Sequence, residues 1–236
     1  MRVKAVLFDM DGTILDTEKL LVRYWCEAAN EAGYPMRREH ALALRSLAGA
    51  YAEPLLKEWF GEDCSYRVLR ARRMELMAAH IEKYGIEVKP GFPALLSALG
   101  ERGLYRAVVT ATDLERAERY LTKVGLYDEF DDVISVHMVK NGKPKPDVYL
   151  YAAERLGLLP GDCIAVEDSP NGVRSASAAG CHTVMIPDLS EPEEELIPLL
   201  TAVCKTPGEL LTVLKREEAA GAAPSTKKET NGGRIV

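Results

Sequence analysis

Two carboxylates, Asp9 and Asp11, stand two residues apart directly after an apolar run, with Gly12 and Thr13 behind them. In one loop they face one small volume, where their repulsion costs stability unless a cation or a shared proton offsets it. A divalent metal is the natural partner, and the turn at Gly12 and Thr13 can point backbone N–H groups at an anion. A lone D-x-D also occurs as a helix cap or a surface turn, so the pair needs company. Three further segments supply it. Thr110, Ala111 and Thr112 follow a second apolar run, where a hydroxyl can hydrogen-bond a phosphate oxygen or cap a helix from Asp113. Lys143 lies between Gly142 and Pro144, flanks that restrain the backbone and so the reach of the ammonium. A lysine held this way can neutralise a phosphoryl group; in isolation the same stretch reads as a surface loop. Glu167 and Asp168 add two more carboxylates after an apolar run, hard oxygen ligands of the kind Mg²⁺ takes alongside water and substrate oxygens.

The elements that must position these groups follow from the pattern of apolar residues. Residues 3–8, 105–109, 133–136, 163–166 and 183–186 are short apolar runs bounded by turn or charged residues, the mark of strands buried on both faces. Helical stretches at 92–101, 114–124, 148–156 and 172–179 alternate with them. That order predicts an α/β fold with a parallel, three-layer α/β/α sheet, and open sheets of this kind bind ligands beyond the carboxyl ends of their strands. Four of the five predicted strands end in a carboxylate pair, a hydroxyl or a lysine, a sorting that solvated loops would not produce. Residues 17–87 break the alternation with helical periodicity and no convincing strand, which predicts an inserted helical unit. Leu20, Leu21, Tyr24, Trp25, Ala28 and Ala29, and then Leu69, Arg72, Met74, Met77 and Ile81, fall at helical spacing and read as stripes facing the core of a small bundle. Arg70, Arg72 and Arg73 could face a phosphate but read better as a solvated helix face. Residues 1–16 and 88–214 then form the core, and 217–236, rich in Ala, Gly, Lys, Thr and Ser, read as a disordered tail.

Composition narrows the function classes. The chain has 236 residues, 47% hydrophobic and 28% charged, enough apolar side chain for a sizeable core, and a net charge of −6. The basic excess that drives binding to nucleic acid or to a membrane surface is missing, so a small-molecule partner is expected. The five cysteines are widely spaced with no C-x-x-C pair, and read as buried thiols rather than a disulfide framework or a zinc site. The run before Asp9 is too short for a signal peptide or a membrane span, which predicts a cytoplasmic protein. The four histidines show no metal-ligand spacing, and Pro144 after Gly142-Lys143 forbids the helix start that a nucleotide-binding loop needs.

With these residues in order, the sequence resembles the haloacid dehalogenase-like superfamily, in its phosphatase and β-phosphoglucomutase-like branch, over about residues 1–210. The resemblance rests on Phe8-Asp9-Met10-Asp11-Gly12-Thr13, Thr110, Lys143 in Gly-Lys-Pro-Lys-Pro-Asp, and Glu167-Asp168-Ser169 leading to Asn171-Gly172. It implies a Rossmann-like core with residues 17–87 as a helical cap. It further implies Asp9 as nucleophile forming an aspartyl-phosphate and Asp11 as general acid and then base. Thr110, Ala111 and Lys143 would bind the phosphoryl group. Mg²⁺ would be held by Asp9, the Asp11 carbonyl and Asp168, with Glu167 acting in a second shell or through water. The expected partner is a small phosphorylated metabolite, acted on by a monomer.

Within that branch the mutases place an arginine shortly after a glycine in a cap loop to grip a second phosphate. Here residues 47–52 occupy the comparable place, with Ala52 where that arginine is expected and Arg45 as a possible substitute without a supporting spacing. Thr13 after Gly12 also looks more like the phosphatases. Hydrolysis is therefore the expected reaction and the mutase reaction the alternative. A receiver-like signalling domain would lack the helical insert and carry its phosphorylated Asp on a later strand. A hydrolytic dehalogenase would be expected to lack Asp11. A catalytically silent phosphate-binding protein is the remaining reading, although no motif residue is missing.

Overall fold

A computed structural model describes residues 3–222. Strand β1 (Ala5–Phe8) is followed by four helices, α1 (Glu18–Glu31), α2 (Arg38–Ala43), α3 (Gly49–Phe60) and α4 (Tyr66–Tyr84). Strand and helix then alternate: α5 (Phe92–Glu101), β2 (Tyr105–Thr110), α6 (Leu114–Lys123), β3 (Asp132–Ser135), α7 (Asp147–Arg155), β4 (Cys163–Glu167), α8 (Pro170–Ala179), β5 (His182–Met185), β6 (Ala202–Val203) and α9 (Leu210–Ala222). The six strands form one parallel sheet in the order β3-β2-β1-β4-β5-β6. β1 sits near its centre with β2 and β4 on either side, so the strands ending at Asp9, Thr110 and Glu167 are adjacent.

Side chains alternate across a strand, and the two faces of β1 show why helices must cover both. Val6 and Phe8 join a cluster with Phe92, Leu95 and Leu99 of α5, Leu121 of α6 and Leu214 of α9. Ala5 and Leu7 face the other way, into Val148, Tyr149 and Ala152 of α7 and Ala176 of α8. The small residues on that second face let α7 and α8 approach closely. Helices α1 to α4 carry a cluster of their own, in which Trp25, Met36, Ala52, Leu56, Cys64 and Leu69 are buried.

The main divergences from the sequence pattern lie at the short and terminal elements. β6 has only two residues, one of them exposed, so it leaves no apolar run to read. Helix α9 continues to Ala222, which corrects the expectation of a tail from residue 217: Leu210, Val213 and Leu214 bury its apolar side against the sheet. The remainder of that expected tail, 223–236, lies outside the described residues. Of the arginines read as a solvated face, only Arg72 behaves so, pairing with Glu31 and Glu75 at the surface. Arg73 is buried and its guanidinium stacks on Trp25, 4.9 Å from the ring centre. Four cysteines are buried, Cys26 is half-buried, and all five are free thiols.

Phe8 and Phe92 meet edge to face at 5.0 Å beside the strand that carries Asp9. Phe92→Ala would leave a cavity under that strand. It is expected to lower unfolding stability by about 3–5 kcal/mol, measured by urea denaturation.

Candidate active site

The loops beyond β1, β2 and β4 converge. The Asp9 N–H donates to Val166 O at 2.9 Å, continuing the β1–β4 ladder one residue past the strand, which fixes the backbone from which the carboxylate projects. Lys143, on the loop before α7, reaches into the same space fully buried. Its ammonium donates to Asp9 Oδ1 at 2.5 Å, Glu167 Oε1 at 2.6 Å and Val109 O at 2.9 Å. Those three bonds use all of its donors. Two buried carboxylates on one ammonium hold the lysine firmly protonated, above its ordinary range despite the opposing effect of burial.

Glu167 is the anchor of this arrangement. Oε1 accepts from Lys143 and from the Tyr149 hydroxyl at 2.7 Å, and Oε2 accepts from Ser169 at 3.3 Å. A Cβ on Gly172 would overlap the Glu167 carboxylate, so the glycine is required by that close approach. Ser169 also caps α8 by accepting from the Gly172 N–H.

Asp9, Glu167 and Asp168 each bring a carboxylate oxygen within 4.8 Å of the others, a group able to hold a metal ion. The free valences divide unevenly. Asp9 Oδ2 and both oxygens of Asp168 are buried without a hydrogen-bond partner, while both Glu167 oxygens are engaged. Orphaned buried carboxylate oxygens are costly, and a hard divalent cation satisfies them. The donor set fits such an ion, with Asp9 and Asp168 carrying the unused capacity. In the bare protein, burial pushes the Asp9 carboxyl well above the carboxylate range, Lys143 opposes that, and Glu167 and Asp168 reinforce it. Asp168 is raised by burial and then by Glu18.

Asp11 is held separately. The Thr17 hydroxyl donates to Oδ1 at 2.5 Å and the Thr112 hydroxyl to Oδ2 at 2.9 Å, so its side chain is oriented from two sides and lies outside the metal-binding trio. Thr110 is buried at the end of β2, where its hydroxyl oxygen accepts the Thr112 N–H at 3.0 Å and keeps its proton for donation. Ala111 and Thr112 line the cavity above Asp9. The helix that follows is capped by Asp113, which accepts from the Arg116 N–H, so the three residues before it are not its cap.

The opposite wall comes from α1, α4 and the α2–α3 linker. A cavity of about 60 Å³ lies between Asp9 and Asp11 on one side and Glu18, Trp25, Arg45, Ser46, Tyr66, Arg70 and Arg73 on the other. The linker is tied down by its backbone: Asn171 Nδ2 donates to Arg45 O at 2.9 Å, and Ala48 N–H donates to Lys143 O at 3.0 Å. Arg73 carries a buried charge with no carboxylate in ion-pair range among the described residues, and its Nε has no partner. Burial, then Arg116, pulls its pKa down to about 10, which leaves it charged at neutral pH. Glu18, also buried in this wall, is raised by burial and then by Asp11. Sequence reasoning named Thr112 only beside Thr110, Arg45 only as a substitute without a supporting spacing and Arg73 chiefly as part of a solvated face, and it did not single out Thr17 or Glu18. No local spacing marks them, because the fold alone brings them to the cavity. Ala52 is buried in the α1–α4 cluster and does not line the cavity.

Comparison with known proteins identifies the family. Residues 3–180 match the family profile described as haloacid dehalogenase-like hydrolase. Among curated relatives, hexitol phosphatase A of Escherichia coli (strain K12) is 36% identical over 187 residues, covering 79% of this chain and 84% of the relative. β-Phosphoglucomutase of Bacillus subtilis (strain 168) is 27% identical over 190 residues, covering 77% and 82%. Among solved structures, CbbY from Rhodobacter sphaeroides in complex with phosphate superposes with a TM-score of 0.75 at 27% identity, covering 90% of this chain and 99% of that one.

Replacing Lys143 by Met would strand two buried carboxylates. Lys143→Met is expected to cost about 3–5 kcal/mol at pH 7. The deficit should shrink as pH falls from 8 to 5: Asp9 has a raised carboxyl pKa in the folded state, and taking up a proton removes its unpaired charge. Chemical denaturation of both proteins across that range measures it.

Proposed function

The chain belongs to the haloacid dehalogenase-like hydrolase family, and from that premise we propose that it is a Mg²⁺-dependent phosphatase of a small phosphorylated carbohydrate. Its reaction runs through an aspartyl-phosphate on Asp9. The observation that carries this reading is the division of labour on Asp9: Lys143 holds Oδ1, while Oδ2 is buried, unpartnered and beside the cavity. An oxygen held free in this way is a nucleophile with its orientation prearranged.

Asp9 Oδ2 attacks phosphorus in line as the bond to the leaving oxygen breaks, and Asp11 gives its proton to that oxygen. A water then attacks the phosphorus of the acyl phosphate as the bond to Asp9 Oδ2 breaks, Asp11 takes the water's proton, and inorganic phosphate leaves with the Asp9 carboxylate restored. Thr17 and Thr112 keep Asp11 aimed during both transfers. Lys143 and the Thr110 hydroxyl, with Ala111 beside them, offset charge on the transferring oxygens. When bound, Mg²⁺ would supply neutralisation of the phosphoryl oxygens; Asp9 through Oδ1, Asp168 and the Asp11 carbonyl would hold it, leaving Asp9 Oδ2 to attack, with Glu167 acting through water. Residues 17–87 act as a cap that excludes bulk water. Arg73 and Arg70 then face the leaving group and suit its oxygen-rich surface. The reading includes a cytoplasmic monomer, consistent with the five free thiols.

Phosphate release from a panel of hexitol and sugar phosphates tests the assignment. Release that requires Mg²⁺ and stops with EDTA is expected; isomerisation of a sugar phosphate without release would replace it with the mutase reading. On the best substrate, Arg73→Met is expected to raise KM about tenfold to a hundredfold, the loss of one charge-assisted hydrogen bond, with a smaller change in kcat.

A further inference from the structure

Arg45 brings a cation from the α2–α3 linker to Asp168. Its side chain is only 3% exposed, and Nη1 lies 3.6 Å from Asp168 Oδ2. Neither that nitrogen nor either Asp168 oxygen has a hydrogen-bond partner. The guanidinium is instead moored elsewhere, with Nη2 donating to Ser190 Oγ at 2.5 Å and Nε to Leu42 O at 3.3 Å. The pair is therefore one of charge without the two-pronged bonding that makes Arg–carboxylate pairs strong: Arg45 stands beside Asp168 and is not locked onto it.

The backbone around Arg45 is tightly constrained. Asn171, on the loop that carries Asp168, binds its carbonyl, and the Lys143 loop binds the N–H of Ala48. Between those two bonds Ser46 adopts φ 52°, the one non-glycine residue with positive φ among the described residues. Left-handed backbone at such a residue costs about 1–3 kcal/mol and persists only where its surroundings impose it. Docking the linker on both loops imposes it here.

Resting on the metal reading above, we propose that Arg45 competes with the divalent cation for Asp168, so that metal loading and docking of the 44–48 linker oppose each other. Arg45 neutralises Asp168 in the metal-free protein. A cation entering beside Asp9 and Asp168 meets a like charge a few ångströms away, and in a partly buried site that repulsion is large enough to weaken binding by about tenfold or more. By linkage, the metal loosens the docked linker by the same factor. A phosphoryl dianion adds the negative charge that lets both cations remain, so closure over the site is favoured when metal and substrate phosphate are present together.

Calorimetric titration with Mg²⁺ of the native protein, Arg45→Gln and Arg45→Lys tests this, alongside melting temperatures in EDTA and in Mg²⁺. The expected result is that R45Q binds Mg²⁺ about tenfold or more tighter than native and gains more melting temperature from Mg²⁺, while R45K, which keeps the charge, stays within about threefold of native. Equal or weaker binding by R45Q overturns the proposal. Should R45Q fail to fold, Ser190→Ala frees Nη2 from its mooring, lets the guanidinium turn onto Asp168, and is expected to weaken Mg²⁺ binding; unchanged or tighter binding by S190A then overturns it. If the native protein binds no Mg²⁺ at all, the metal reading falls and the proposal with it, whereas native binding that R45Q leaves unchanged removes the proposal alone.

Discussion

The constraint on which the rest depends is the burial of Asp9, Asp11, Glu18, Glu167 and Asp168 within one small region at the carboxyl edge of the sheet. A buried carboxylate is tolerated only where hydrogen bonds or opposite charge replace water. Each of the five is handled differently. Glu167 is saturated by Lys143, Tyr149 and Ser169, and Asp11 receives two hydroxyls. Asp9 is half satisfied by Lys143, and Asp168 has only the nearby charge of Arg45. Glu18 keeps Oε2 without a partner. The unsatisfied capacity is concentrated on Asp9 and Asp168, which is where a metal ion and a phosphoryl group would be used.

Much of the fold serves that distribution. Parallel pairing sets the ends of β1, β2 and β4 side by side, and the small residues Ala5, Ala152 and Ala176 on one face let α7 and α8 pack close enough to carry Tyr149 and Gly172 to Glu167. The helical segment is joined to the core by more than its chain connections. Lys89 pairs with Asp16 at 3.1 Å and also with Asp188, and Leu15 pairs with Val88, so the two crossings of the chain are stitched together beneath the cavity. Above it, the α2–α3 linker rests on the Lys143 and Asp168 loops. The second wall of the site is therefore delivered by elements remote in sequence from the strands that deliver the first.

That difference explains how much was legible beforehand. Strands buried on both faces must be apolar runs, and a polar residue at the end of such a run stands out, so Asp9, Asp11, Thr110, Lys143, Glu167 and Asp168 could be named from pattern alone. The helical segment showed its periodicity but not its contacts. Arg73 sits among Arg70 and Arg72 in a stretch with the composition of a solvated face, and only packing against Trp25 separates it from them. Arg45 and Thr112 belong to no spacing rule. Thr112 earns its place through Asp11, a hundred residues earlier in the chain, and Arg45 through Asp168. The end of α9 was hidden for a related reason: its Ala- and Gly-containing last turns have the composition of a tail, and the helix is anchored by Leu210, Val213 and Leu214 further back.

Covalent phosphorylation of Asp9 during turnover, as proposed above, is tested most directly by trapping that species. Asp11→Asn, which removes the group proposed to activate water, would be mixed with Mg²⁺ and the best sugar phosphate, quenched in acid and digested for mass spectrometry. A phosphorylated peptide containing Asp9 is expected, absent when Asp9→Asn is added to the same protein. Phosphate on a different residue, or phosphate release by the native enzyme with no phosphorylated Asp9 at any quench time in either protein, would contradict it.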